Sequence, residues 1–383
     1  MGRPAVGALG VLALALGTLQ TVLDPALPLL QRELGIGPGA GALAGGAMLV
    51  TGAVVAPVAG ALGDRYGGKR VLVRLMILVA AGGLLAGAAP NLPVLLLGQV
   101  LQGAMVGALP LSFILVRKHL PAAGAQPMIG VVVALFTGGG MVGTVIAGPI
   151  AEGLSWRWMF VLPALVVAAA TLAVLRVLPD DPPVDAGRRI GWPGAALLRL
   201  LVRPGTRHAY ALTFALTAVS GMVFFLLPQM FAADGVGTTD IGLLLLPGVV
   251  AGAVADSAAG FAARRFGARA VVVAALLTTA ATLAGLASVH PAVWQLVLGR
   301  VLIGFAVGIG ATALLASTAA RVDVRETGTA SSLLVVLRVA GVAVGAQTGG
   351  VLLDGSSAPG FAVAGLAAAL ALLLTRRVPS DRR

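Results

Sequence analysis

Apolar and polar positions alternate along this chain in long blocks. Apolar runs fall at about 7–30, 40–63, 71–90, 93–116, 127–151 and 158–178, and resume at about 208–232, 239–262, 270–289, 292–318, 327–353 and 359–375. A helix needs roughly 20 apolar residues to cross the hydrocarbon core of a bilayer. Backbone in lipid must satisfy its own hydrogen bonds, so single runs of this length are α-helices. The pattern predicts an all-α membrane protein with twelve transmembrane helices, six on each side of a polar interval. The first run carries Asp24 and two prolines and leads straight into the next span, so it is expected to remain as a helix and not to be cleaved as a leader.

The polar interval defines three parts: a six-helix bundle at 1–178, a cytoplasmic linker at 179–207 and a second six-helix bundle at 208–383. Leu178-Pro179-Asp180-Asp181-Pro182-Pro183 stops the sixth span. Ile190 to Val202 then reads either as a solvated linker or as a short amphipathic helix on the inner leaflet, with Arg199 on its polar side.

The two halves repeat one another. Gly60 to Arg70 reads GALGDRYGGKR, and Gly260 to Ala270 reads GFAARRFGARA, with Arg264 where the first copy has Asp64. Pro28 and Gly35 match Pro228 and Gly235 at an offset of 200. Gly98, Gly103 and Gly107 match Gly299, Gly304 and Gly308 at 201, and Gly143 and Gly148 match Gly345 and Gly350 at 202. Two six-span halves entered from the same side are parallel repeats about an axis normal to the membrane.

Composition agrees with this. The chain is 58% hydrophobic and 10% charged, against about 25% charged in a soluble domain. Its formal charge of +12 is placed by topology and is not a nucleic-acid footprint. With the N-terminus inside, most of the 26 Lys and Arg residues fall in cytoplasmic segments, among them Arg65, Lys69, Arg70, Arg117, Lys118, Arg264, Arg265, Arg376 and Arg377. Arg32 and Arg157 fall outside, while Arg300 and Arg338 lie within spans. The expected location is the cell membrane, multi-pass, with both termini cytoplasmic. The absence of cysteine leaves the redox compartment unread.

Small residues recur every four positions as Gly139, Gly143, Ala147 and Ala151; as Gly341, Gly345 and Gly349; and as Gly252, Asp256 and Gly260. Such stripes allow close approach of helix backbones, and packing is the first reading of any one of them.

These features together resemble the major facilitator superfamily, over the whole chain. The loop after the second span is similar to the family's G-x-x-x-D-R-x-G-R-K signature through Gly60, Asp64, Arg65, Gly67, Lys69 and Arg70, with Gly68 at the first basic position. The resemblance implies the major facilitator fold and a gating role for this loop, with Asp64 set against the helix start near Thr327 to Ala330. Thr21 to Leu30 (TVLDPALPLL), Ser155 to Phe160 (SWRWMF) and Ile241 to Gly248 (IGLLLLPG) look most like the drug:proton antiporter branch. Two departures stand out. Gln99 occupies the place of that branch's fourth-helix arginine, and the proline of its fifth-helix motif is displaced to Pro149.

Charges within spans are costly, about 2.5–3.5 kcal/mol at a helix centre, and are the candidate chemistry. Asp24 lies along the first helix, one turn past Gln20; a carboxylate in a poorly hydrated cavity can load and release protons near neutral pH. Arg338 is 13 residues past Arg325, about 20 Å up its helix at the α-helical rise, and there needs an acid or water. Arg300 opens the tenth span and suits an anionic group or a bracing neighbour. Asp256, in a packing stripe, suits an ion pair. Asp24, Arg300 and Arg338 are therefore the candidates for proton coupling or substrate. The resemblance adds, as cavity-lining groups, Gln20, Gln99, Gln102, Thr217, Phe224 and Gln229, with Phe225 beside them.

His119, His208 and His290 have no metal-ligand spacing, and no phosphate-cradling loop followed by Lys-Ser/Thr occurs. Neither a cofactor nor an enzyme is expected. The leading expectation is a secondary active transporter working by alternating access, a proton-coupled exporter of small amphipathic compounds or drugs. Its expected partners are a small-molecule substrate, protons and the lipid bilayer; no nucleic acid is expected, and the chain is expected to be a monomer. The alternatives are an importer or facilitator of a small, anionic metabolite and a membrane sensor without flux.

Overall fold

The structure is a computed structural model, and it describes residues 3–119, 122–180, 201, 203, 206–288, 291–319, 327–353 and 358–375. Helices follow one another with short connections. They are α1 (Arg3–Thr21), α2 (Leu23–Leu34), α3 (Pro38–Tyr66), α4 (Gly68–Gly87) and α5 (Leu92–Gln102). After a 3₁₀ turn at Gly103–Gly107 come α6 (Ala108–His119), α7 (Ala122–Gly153) and α8 (Trp158–Val177). The series continues with α9 (Arg207–Ala233), α10 (Thr238–Phe266), α11 (Ala268–Ser288), α12 (Val293–Ala319), α13 (Thr327–Leu352) and α14 (Ala358–Thr375).

Among the described residues, ten stretches are long and apolar enough to cross a membrane; α5, the 3₁₀ turn and α6 count as one of them. The pair α1 and α2 passes the same test as a span bent by 46°, and α14 contributes a shorter apolar helix, Pro359–Thr375. These segments correspond to the twelve expected spans, and the protein is an all-α membrane protein. Ile190–Val202, read from the sequence as either a solvated linker or a short amphipathic helix, falls almost entirely outside the described residues.

The bend in the first span has a local cause. Pro25 has no N–H to bond the carbonyl of Thr21, and its ring clashes with that carbonyl. Helix α1 accordingly ends at Thr21, and α2 begins at Leu23 with Asp24 in its first turn. A carboxylate there is favoured by the positive end of the helix dipole.

Two compact units divide the chain. The first holds residues 1–36, 47–192 and 238–242, and the second holds 37–46, 193–237 and 243–383. In unit 1, α1 packs on α7 and α8, and α4 packs on α5 and α8. Leu9, Leu12, Leu16 and Leu19 share one face of α1, at the spacing of a helical stripe, and form the core with Leu72, Met76 and Val79 of α4 and Val167 and Val174 of α8. In unit 2, α9 packs on α12, α13 and α14, and α11 packs on α12 and α14. Large apolar side chains such as Val54, Leu172, Phe261 and Leu366 point outward, as a lipid-facing surface requires.

The repeat is legible in the backbone. Among the described residues every positive φ belongs to one of two glycine pairs 200 residues apart: Gly35 (62°) with Gly235 (79°), and Gly67 (92°) with Gly267 (82°). The left-handed region is open to glycine without steric cost. Each pair makes the same turn in its own unit.

Helix pairs on glycine repeat as well. In unit 1 a Cβ on Gly139 would collide with the carbonyl of Leu14, and one on Gly143 with that of Thr18. In unit 2 a Cβ on Gly341 would collide with Thr217 and one on Gly345 with the carbonyl of Ala218. Small residues here let α7 close on α1 and α13 close on α9.

Candidate functional site

Asp24 is exposed, and Gln20, one turn before it, is half-buried. The end of α1 beneath them is tied to α7. Thr18 donates its hydroxyl to the carbonyls of Leu14 (3.0 Å) and Gly139 (3.1 Å), and Thr21 donates to Gly140 (2.7 Å). These bonds hold the broken end of α1 in place, which fixes where Asp24 begins the next helix.

Gln99 and Gln102 are enclosed within unit 1, at 1% and 0% exposure. Among the described residues, the Gln99 side-chain oxygen and both polar atoms of the Gln102 amide lack a hydrogen-bond partner. Gln102 lies over Gly83 of α4: a Cβ on that glycine would sit 3.2 Å from its Nε2, and it would also meet Ala164 and the Phe160 carbonyl of α8. Immediately after Gln102 the helix tightens into the 3₁₀ turn. An interior 3₁₀ stretch often marks a hinge or strain.

In unit 2, Arg300 is 6% exposed, and its guanidinium carbon lies 3.6 Å from the centroid of the Phe224 ring. The stem of Arg300 crosses Gly248, where a Cβ would collide with it. A cation over an aromatic face in a dry setting gains about 2 kcal/mol. Thr217 turns its hydroxyl back to the carbonyls of Thr213 (2.8 Å) and Phe214 (3.2 Å) and packs against Gly341. Gln229 is half-buried near the end of α9.

A second polar group in unit 2 is built on a glycine ladder. Gly304 of α12 sits against the Gly248 carbonyl of α10, and Gly308 sits against that of Gly252. One turn further on, with the same spacing, Thr312 donates to Asp256 Oδ1 at 2.5 Å. The other oxygen of Asp256 is 3.6 Å from Nη2 of Arg338 on α13. The acid that a mid-span Arg338 requires is thus supplied by the residue that interrupts the small-residue stripe.

The loop after the second span is anchored through its lysine. Lys69 is 8% exposed and donates to the Leu178 carbonyl (2.6 Å) and to Asp180 (3.0 Å). The Lys69 hydrogen bond and charge, with Arg70 nearby, hold the Asp180 carboxyl below its ordinary range. Gly67 makes the turn, Gly60 has open space around it, and Arg65 lies over the Tyr66 ring at 5.2 Å. Arg265 repeats that contact over Phe266 at 5.7 Å. Asp64 is in the last turns of α3, but its side chain and those of Thr327 to Ala330 lie outside the described residues.

Two contacts were not apparent in the sequence. Within unit 1, Glu152 at the end of α7 accepts from the Thr238 N–H (2.5 Å), the Thr239 N–H (3.3 Å) and the Thr239 hydroxyl (2.5 Å). A carboxylate so placed satisfies the unpaired N–H groups of a helix start. Arg157 donates to the carbonyls of Gly87 (3.2 Å) and Ala89 (2.7 Å) and covers the Trp156 ring at 4.7 Å, so the SWRWMF stretch closes the end of α4. A basic residue immediately before an apolar span was the available signal. Among the described residues no group of acidic, histidine or cysteine side chains is arranged to hold a metal ion.

The family model of the Major Facilitator Superfamily matches residues 9–255 and 209–383. The chain belongs to this superfamily. The relatives that it matches are named as transporters or for drug resistance. A probable actinorhodin transporter of Streptomyces coelicolor is 26% identical, with 88% of this chain and 69% of that protein covered. The puromycin resistance protein pur8 of Streptomyces alboniger is 33% identical over 46% of this chain and 35% of its own length. The chain spans only 26% of the length of the MFS-type transporters of Mycobacterium tuberculosis that it matches at 33% identity. The fold is also that of a D-xylose-proton symporter, with a TM-score of 0.80, 15% identity and 98% of each chain covered. A nucleoside transporter, NupG, gives a TM-score of 0.79 at 12% identity, with 98% of this chain and 99% of that one covered.

Proposed function

We propose that this superfamily member is a secondary transporter that exports small amphipathic compounds in exchange for protons by alternating access, with both termini cytoplasmic. One observation carries the reading: an exposed carboxylate, Asp24, opens the second half of a membrane span broken by 46°. Broken helices place ion and substrate groups at mid-membrane in transporters, and an ionisable residue there marks a coupling site by default. Relatives named for puromycin resistance and for actinorhodin transport favour export of bulky organic compounds. Gln99, in place of an arginine, leaves Asp24 to carry the proton without that cation.

The test is reconstitution in liposomes under an imposed pH gradient. Addition of amphipathic dyes, cationic and anionic, is expected to discharge the gradient. A second reading, uptake of an anionic metabolite, is favoured by the two arginines within spans of unit 2, Arg300 and Arg338, and gradient-independent flux of such a compound would support it over the first.

A further inference from the structure

We infer that Arg338 is the docking group for the anionic end of an amphipathic solute, and that Asp256 is the resident counter-ion which that solute displaces. The inference rests on the transport reading and adds a substrate class to it.

The geometry is that of a neutralised but incompletely bonded cation. Asp256 approaches Arg338 at 3.6 Å, an ion-pair distance outside the hydrogen-bonding range of about 2.7–3.2 Å for such pairs. Among the described residues, Arg338 makes no hydrogen bond that would close the fork. Asp256 is meanwhile held away from a bidentate pose, because its other oxygen accepts the Thr312 hydroxyl at 2.5 Å. The hold is rigid: Thr312 and Asp256 form the next rung of the Gly304–Gly248 and Gly308–Gly252 ladder, where the α10 and α12 backbones touch.

The cluster is also open. The side chains of Arg338 and Asp256 are 45% and 40% exposed, although both residues lie well inside apolar spans. Charged side chains at such depth face a water-filled space and not lipid. A planar guanidinium with unused donors favours a carboxylate, sulfonate or phosphate that takes two N–H groups at once. Asp256 offers only one oxygen and a longer contact. A solute anion on Arg338 therefore replaces a weak internal partner with a stronger external one. Arg300 does not duplicate the site, since its guanidinium is buried over Phe224.

The experiment titrates the full chain in lipid nanodiscs with 2-naphthoate and with its uncharged analogue 2-naphthamide, by calorimetry. Wild type is expected to prefer the carboxylate. Asp256→Asn is expected to raise naphthoate affinity about tenfold and to leave naphthamide unchanged. Arg338→Gln is expected to abolish the preference. The double variant Asp256→Asn with Arg338→Gln restores charge balance, so it serves if a single variant fails to fold, and it is expected to show no preference. Equal affinities for the two probes in wild type, or a preference that survives in the double variant, would overturn the inference. Binding is read without flux, so failure of proton-driven transport leaves this result standing, and the reverse holds too.

Discussion

Unit 1 and unit 2 share one scaffold and place different chemistry on it. At the offset of 200 residues that aligns the glycine turns, Asp24 corresponds to Phe224. At the offset of 201 that aligns the glycines of the fourth and tenth spans, Gln99 corresponds to Arg300 and Gln102 to Ile303. Unit 1 thus carries an exposed acid and two enclosed amides. Unit 2 carries a buried arginine on an aromatic ring and a half-open Asp256–Arg338 pair. The close helix contacts survive duplication because any side chain there forces backbones apart. The charged positions differ between the halves: Asp24 and the Asp256–Arg338 pair are partly open, whereas Arg300 is packed on Phe224 and Gly248. One half presents an acid at the surface of its first span, and the other presents an acid–arginine pair between its eighth and eleventh spans.

The shared part of this comparison breaks most strongly at the glycine contacts. Gly139→Ala and Gly345→Ala each put a methyl group into a carbonyl of the facing helix. Each is expected to cost about 3 kcal/mol, at the upper end for overpacking, seen as early thermal unfolding in detergent. Gly60→Ala, with nothing within 4 Å of the new methyl, is expected to show no loss. Equal effects at all three sites would remove the packing account of the repeat.

Gln102→Ile makes unit 1 match unit 2 at an enclosed position. The amide is 0% exposed and lacks hydrogen-bond partners among the described residues. Its removal is expected to stabilise the chain by about 1–3 kcal/mol. A destabilised variant in the same melting assay would mean that the amide is satisfied after all.

The smallest expected effect lies in the loop. Lys69 is held by Asp180, whereas Arg269 stands at the corresponding place in unit 2. Asp180 has its pKa lowered in the folded chain, from an ordinary value of 3.8. Its contribution is therefore complete above that value and is lost as the pH falls through the lower folded value. Asp180→Asn is expected to speed amide exchange around Gly67 and Lys69 slightly relative to wild type at neutral pH, with the ratio approaching one in strong acid. A ratio independent of pH would contradict the clamp.

Much of the scaffold was readable because its signals are local or periodic. Run lengths give the spans, and the 200-residue echo of Gly35 and Gly67 gives two like halves. The break in the first span was not expected from its run of apolar residues, although Pro25 carries it, four residues past Thr21. The site was less readable, because partners on different helices leave no periodic trace. Asp256 sits in a small-residue stripe, and only the ladder against α12 shows that it meets Thr312 and Arg338. The resemblance suggested Gln99 and Gln102 as cavity-lining groups, yet helical spacing alone does not say which face meets a neighbour. Glu152 reaches Thr238 across 86 residues of sequence, beyond any local pattern.

The central claim, that Asp24 couples solute movement to protons, is tested most directly by comparing two fluxes in liposomes carrying Asp24→Asn. Solute exchange at equal pH on both sides is expected to persist, because binding and reorientation need no net proton movement. Accumulation driven by a pH gradient is expected to vanish. Undiminished gradient-driven accumulation in the variant would contradict the account.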